Sequence, residues 1–441
     1  MSLATKILSI FQRDLLLFVT NLAVSIIVAR TLGPAALGIW VILSMVPSYA
    51  EALGRTKTDL AAVYFIGQKL FRREDVLFNL NLIALASAGT ILVFILWQFG
   101  PIYEWLFKNE VGNYRTEVLL LMIQIPLQFL YLNYSYFHIA EENIHVYNRM
   151  VVIQAWANGL TAISLLTLTP IGLWSVILAA LTGTSLALLY GWRSIDRKGW
   201  VSGRASKQVS FALIRYGAHF YVGGVLGQLQ QSGTNLLALA YLIPAQMAFL
   251  GQGQGVGKLL NKVVDPLNAI LFPRISRSGS DEAVDASCSA FRISSILLLI
   301  GGVALAIVAE PLIVAIYGVD FQPTSAVLRY LLPGLIIGGA CSTLSNYFNG
   351  TGRASLIPRI QFFPVVIQQL LAWFFLQRWG LKGGAAAISI GIALYGLVLL
   401  PVFAKISKAS FRQLVPGVAD LRYLLAFATN GLSVMLKMKS S

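Results

Sequence analysis

Apolar residues run through this chain in long stretches that no charge interrupts: Thr31 to Ala50, Val76 to Tyr103, Met150 to Trp192, Tyr216 to Gly257, Tyr330 to Gly352 and Gly383 to Ala404. A helix rising about 1.5 Å per residue crosses the hydrocarbon layer in about 20 residues, so each run holds one or two crossings. The short alternating segments of a membrane barrel do not appear. Cutting the runs at proline, glycine and charge clusters predicts helices over 13–31, 36–54, 76–100, 116–139, 148–168 and 171–192, then 211–241, 244–271, 289–309, 325–348, 357–377 and 381–404. The expected fold is all-α integral membrane with about 12 transmembrane helices. A last apolar stretch, Leu421 to Leu436, is short for a crossing and is expected to lie along the membrane surface within a tail over 411–441.

The pattern repeats at an offset near 210 residues. Gly33-Pro34-Ala35-Ala36 aligns with Ile243-Pro244-Ala245-Gln246, and Leu106-Phe107 with Ile316-Tyr317. Further on, Gly172-Leu173 and Gly183 align with Gly380-Leu381 and Gly391 at an offset of 208. With six helices each, both halves enter the membrane in the same direction, a parallel-repeat transporter arrangement with the substrate path between the halves. The expected organisation is an N-terminal six-helix bundle over 1–205 and a C-terminal one over 206–410, two pseudo-repeats around a central cavity.

Composition agrees: 57% of residues are hydrophobic and 12% charged, about half the charge of a soluble domain. The net charge of +15 would suggest a nucleic-acid partner in a soluble protein. Here most Lys and Arg sit in short loops, so no nucleic acid is expected. The N-terminus, the segment with Arg55, Lys57, Lys69, Arg72 and Arg73, the central loop with Arg193, Arg197, Lys198, Arg204 and Lys207, the pair Arg274 and Arg277, and the tail with Lys405, Lys408 and Arg412 all fall on one side. That side is cytoplasmic by the positive-inside rule, and with it both termini. Lys6, Arg13 and Asp14 interrupt the first apolar stretch, which reads as a retained helix rather than a signal peptide. Cys288 and Cys341 lie in or beside helices and suggest neither a disulfide framework nor a thiolate metal site.

Two motifs fail on inspection. In Gly251-Gln252-Gly253-Gln254-Gly255-Val256-Gly257-Lys258 a phosphate loop would need glycine where Gln252 stands and a hydroxyl residue where Leu259 stands; a close-packed, glycine-rich helix accounts for it better. His138, His145 and His219 have no metal-ligand spacing and read as solvated or interfacial residues.

The polar positions inside the apolar helices carry the candidate chemistry. Lys258 stands 14 residues after Pro244, roughly 20 Å into the membrane. A lysine there costs roughly 2.5–3.5 kcal/mol on insertion scales, so it belongs beside water or an anion. Gln254, Lys258, Asn261, Lys262 and Asp265 follow at steps of three and four and form one stripe. Shifted back by the repeat, Ser44, Ser48, Glu51 and Arg55 hold the matching positions, and the seventh helix adds Gln228, Gln231 and Asn235. Amides of this kind often simply bond helix to helix, and Asp265 sits where it neutralises Lys262. The expectation is a cavity in which Lys258, helped by Lys262, Arg215 and Arg55, draws in an anionic headgroup. Arg30, at the outer end of the first helix, serves either an outward-open state or the interface.

The stretch Val28-Ala29-Arg30-Thr31-Leu32-Gly33-Pro34-Ala35-Ala36-Leu37-Gly38-Ile39-Trp40 resembles the first helix-to-helix connection of polysaccharide-biosynthesis flippases of the Wzx type. Tyr317-Gly318-Val319-Asp320-Phe321, Leu328-Arg329-Tyr330-Leu331-Leu332-Pro333 and Asn346-Tyr347-Phe348-Asn349-Gly350-Thr351-Gly352-Arg353 are similar to that family's second half. The resemblance implies membership of the multidrug, oligosaccharidyl-lipid and polysaccharide exporter superfamily. It implies a non-enzymatic flippase in the bacterial inner membrane that carries an undecaprenyl-pyrophosphate-linked oligosaccharide to the outer leaflet by alternating access, for O-antigen or exopolysaccharide synthesis. It further implies no cofactor beyond a proton or sodium gradient, and polysaccharide polymerase machinery as a partner. One departure stands out: relatives often carry Asp in the seventh helix, where this chain has Gln231-Ser232-Gly233-Thr234-Asn235. The alternatives are a multidrug exporter of the same superfamily, or a membrane glycan polymerase or ligase.

Overall fold

The computed structural model describes residues 3–108, 112–195, 203–265, 267–268, 271, 275, 280–417 and 420. The stretch 421–436, Arg197, Lys198, Arg274 and Arg277 lie outside them. The helices are α1 (Leu3–Gly54), α2 (Thr58–Gly67), α3 (Arg73–Trp97), α4 (Phe99–Leu106), α5 (Arg115–Met122), α6 (Gln124–Ala140), α7 (Ile144–Leu168), α8 (Leu173–Arg193), α9 (Lys207–Gln228), α10 (Thr234–Ala238), α11 (Pro244–Asn261), α12 (Ser280–Tyr317), α13 (Pro323–Gly350), α14 (Leu356–Ser407) and α15 (Phe411–Leu414). Between α9 and α10 the helix widens into a π turn, Leu229–Gly233. The described residues contain no strand.

Nine helical segments among the described residues are long and apolar enough to cross a membrane. Two of them, α1 and α14, are broken by a non-helical residue, Gly33 and Gly380, so each carries two crossings. The 18-residue α11 falls short in hydropathy because of its polar stripe, and adding it gives the twelve expected.

Backbone geometry carries the repeat. Gly172 has φ 52° and ψ −115°, and its aligned partner Gly380 has φ 53° and ψ −127°. Positive φ of this kind is open to glycine and strained for other residues, which fixes the type of residue at both helix starts. The turn after α6 repeats after α13. Glu142 and Gly352 both adopt positive φ, and the bond from Asn143 N to His138 O recurs as Arg353 N to Phe348 O. Small residues seat equivalent helix pairs: Gly183 faces Asn158, and Gly391 faces Gln368.

The contacts define two compact units, Met1–Gln228 with Leu239–Ala248 and Ile316–Asp320, and Leu229–Ala238 with Phe249–Ala315 and Phe321–Ser441. They do not divide at 205/206, because α9 packs with the first unit. Tyr216 stacks on Tyr64 with centroids 4.6 Å apart, and Gly217 lies against the Thr56 carbonyl. The first unit also contains a helix missing from the expected pattern. The basic segment after Arg55 is not loop throughout: α2 buries Thr58 and Asp59 at its start and packs Ala61, Ala62, Phe65 and Ile66 into a core with Val76, Leu80, Phe137, Met150 and Leu213. His138 is also buried, its Nε2 bonded to the Gly191 carbonyl at 3.0 Å, rather than solvated or interfacial.

In the second unit the buried hub is α13, which packs along α14. Gly334 and Gly338 lie against Ser389 and Ile392, and Gly396 against Cys341. Glycine at these points lets two backbones approach closely, the usual means of joining helices where hydrophobic burial gives no net drive between them.

Candidate functional site

The residues that α11 places on one side line a cavity of about 500 Å³ in the second unit. Gln254, Lys258, Asn261 and Asp265 supply one wall, Gln230 and Gln231 of the π turn another, and Ser342 of α13 and Tyr395 of α14 close it. The glycines of α11 explain how the stripe stays free. On the flank of the stripe Gly253 and Gly257 meet Val327 and Leu335, where an added Cβ would come within 2.6 Å, so the helix lies flush on α13. The Gly251–Lys258 segment is thus continuous helix, as its glycine content suggests.

Lys258 is exposed and makes no hydrogen bond or ion pair with any described residue. Asp265 is engaged: Lys262 donates to its carboxylate at 2.7 Å. That pair is neutral, and Lys262 does not line the cavity, so Lys258 gives the cavity its net positive charge. Gln254 is held by a reciprocal pair of bonds with Asn235, at 2.7 and 3.3 Å. At the rim Asn346 donates to Asn268 at 2.8 Å, and Ser345 lies 3.2 Å from the Tyr395 hydroxyl. Among the described residues the wall thus offers one cation without a partner, Lys258, set among amides and hydroxyls, a surface suited to an anion carrying a polyhydroxylated body.

The remaining candidates belong to the first unit. Arg55 is buried against Asp59 at 3.1 Å and Glu51 at 3.6 Å, so two carboxylates already answer its charge. Gln228 donates to Ser48 at 3.0 Å, and Arg30 donates to the Ile316 carbonyl at 2.8 Å. Arg215 is exposed. The structure therefore gathers Gln231, Gln254, Lys258 and Asp265 in one cavity, supports it with Asn235 and Lys262, and puts Glu51, Arg55, Gln228, Arg215 and Arg30 in the other unit. In the first half, Gln124 and Gln154 both donate to Thr184, so these amides join helices. Asn268, three residues beyond Asp265, extends the stripe and was within reach of the spacing rule. Gln230, Ser342 and Tyr395 carried no such signal.

Residues 27–326, more than half of the chain, match the model of a family described as polysaccharide biosynthesis protein. The chain belongs to that family. No curated protein matches it by sequence. Among solved structures, an inward-facing multidrug resistance MATE family transporter of the MOP superfamily is 16% identical, covers 89% of this chain and 94% of its own, and superposes with a TM-score of 0.75. The lipid II flippase MurJ, in an inward closed conformation, is 16% identical over 96% of this chain and 93% of its own, with a TM-score of 0.74. A MOP superfamily transporter from Pyrococcus furiosus, for which reverse polarity of the binding pocket suggests a different function, is 15% identical over 92% and 96%, with a TM-score of 0.62. At such identities the likeness is one of fold. This family member has the fold of MOP superfamily membrane transporters and spans the membrane many times.

Proposed function

We propose that the protein is a flippase that moves a lipid-linked oligosaccharide from the cytoplasmic to the outer leaflet by alternating access, with undecaprenyl pyrophosphate as the carrier. The observation that carries this reading is Lys258: a lysine without a partner among the described residues, on the wall of a cavity, in a helix that reads as membrane-spanning. Such a charge is tolerated in a bilayer where it meets water or an anion, and a pyrophosphate beside it interacts in a low dielectric. The amides and Tyr395 suit the sugars. The family's role in polysaccharide biosynthesis and the MurJ-like fold support the same substrate class. Export of organic cations fits less well, because the cavity's carboxylate, Asp265, is already paired with Lys262. The protein resides in the bacterial inner membrane with cytoplasmic termini and supplies polysaccharide polymerase machinery outside.

Lys258→Ala is expected to abolish surface polysaccharide and leave lipid-linked oligosaccharide on the cytoplasmic leaflet, at normal membrane abundance. Lys258→Arg retains partial function. Normal transport by Lys258→Ala would refute the assignment, and unpolymerised or unligated glycan accumulating outside would point to an enzyme.

A further inference from the structure

The seventh crossing does not run as a regular helix. At Leu229–Gly233 it winds as a π turn, which takes up one residue more than an α turn and displaces carbonyls from the helical ladder. Two of these are capped from α14: Gln369 Nε2 donates to Leu229 O at 3.0 Å, and Gln368 Nε2 to Gln230 O at 2.9 Å and to Thr234 Oγ1 at 3.2 Å. A third amide, Gln361, donates to the Gln230 side chain at 2.6 Å. Gln368 is fully buried, and the Oε1 atoms of Gln368 and Gln369 accept no hydrogen bond from any described residue. Two amides thus spend their donors on this turn and leave their acceptors unmet in an apolar setting. Glycines make room for them, Gly391 beside Gln368 and Gly233 beside Gln369. One repeat earlier, residues 19–23 lie in α1, whose helical geometry is interrupted at Gly33 instead.

We propose that Gln368, Gln369 and Gln361 are positioning residues that hold this π turn as one state of a register switch, and that the turn sets which face of the seventh crossing lines the Lys258 cavity. Gln230 and Gln231, both within the turn, form part of that wall. In the alternative α register Leu229 O and Gln230 O return to the helix ladder, the glutamines lose their acceptors, and side chains on one side of the turn rotate by about 100° relative to those on the other. The cavity then loses its amide wall without any change in α11. The functional meaning of the switch rests on the cavity being the binding site; the switch itself does not.

The test uses the full chain in native membranes, with cysteine placed at Gln231→Cys and labelled by maleimide. Cys288 and Cys341 are buried and give little background. Gln368→Leu with Gln369→Leu removes the caps and is expected to slow labelling at least fivefold, while Gln368→Glu, which keeps a donor when protonated, restores it. Deleting Ser232 from the double-leucine chain removes the residue that the wide turn accommodates and is expected to recover its melting temperature. Should the double variant fail to insert, Gln369→Leu alone, at a half-buried site, gives the same readout in weaker form. Unchanged labelling, whether or not the melting temperature falls, overturns the switch, as does a deletion that gives no recovery. Because labelling and melting need no transport, normal transport by Lys258→Ala would remove the proposed function and leave this result standing.

Discussion

Replacing Arg55 by Leu separates a structural role from a substrate-binding one. Arg55 is 6% exposed and its partner Asp59 2% exposed, 3.1 Å apart. At an effective dielectric near 20, opposite charges 3.1 Å apart attract by about 5 kcal/mol. Burial of both ions offsets most of that gain, so the pair itself adds little to stability. The single variant is different: it leaves a buried carboxylate without its counter-ion, a loss of about 3–5 kcal/mol. Among the described residues Asp59 Oδ1 has no hydrogen-bond partner to fall back on. At roughly 2–4 °C per kcal/mol for a unit of this size, the melting temperature should drop by about 10 °C. The double variant Arg55→Leu with Asp59→Leu removes both ions and should regain most of the loss. The assay is thermal unfolding of detergent-solubilised protein followed by monodisperse recovery, with polysaccharide export measured in cells. A double variant that melts normally and still exports would show that Arg55 is not part of the substrate path. A double variant as unstable as the single one would refute the buried-ion account.

Gly172→Ala and Gly380→Ala place a Cβ at nearly equal dihedrals, so each should cost about 1–3 kcal/mol of backbone strain. Gly172 has open space around it, which makes its cost one of conformation alone; Gly100→Ala, in α4 with equal space and no positive φ, should be neutral or slightly stabilising by comparison. At the C-terminal end, burial tends to raise the Asp420 pKa, but the Gly417 N–H and Arg292 outweigh it and hold the carboxyl below its ordinary value. A depressed folded-state pKa stabilises fully above the unfolded value and loses that contribution as pH falls through the folded one. Hydrogen exchange at Gln413, corrected for its intrinsic pH dependence, should therefore rise on acidification, and Arg292→Gln should flatten the rise.

Hydrophobic run length, cut at proline, glycine and charge clusters, made the twelve crossings legible, because lipid imposes a fixed span on every helix. The glycine alignments were legible for a different reason: positive φ combined with ψ of −115° and −127° is conformational space open to glycine, so Gly172 and Gly380 share both identity and dihedrals. Helical spacing found Gln254 and Lys258 because they share one helix, and Asp265 because it follows in step just beyond that helix's end, but it had no access to Ser342 and Tyr395, which reach the cavity from helices distant in sequence. It also grouped Arg55 with Lys258 as a cation of the cavity. The buried partner of Arg55, Asp59, belongs to a ten-residue helix too short to register as a crossing and too charged at its start to stand out. The π turn left no mark at all, since its cause lies in three glutamines more than a hundred residues away.

Where the two halves agree, the shared residues are those a duplicated backbone needs to fold: a glycine that starts a helix, a tight turn after the fourth crossing of each half, a small residue under a neighbouring helix. Departures from the repeat have no such requirement behind them. Lys258 replaces an apolar or hydroxyl position of the second crossing, and the π turn interrupts a crossing whose counterpart is regular helix. Both departures are costly in lipid, one as a charge and the other as displaced carbonyls capped by amides with unmet acceptors. Both border the same cavity. Costs retained together at one place, where the first half has Ser48 for Lys258 and regular helix over 19–23, are better explained by a shared task than by folding.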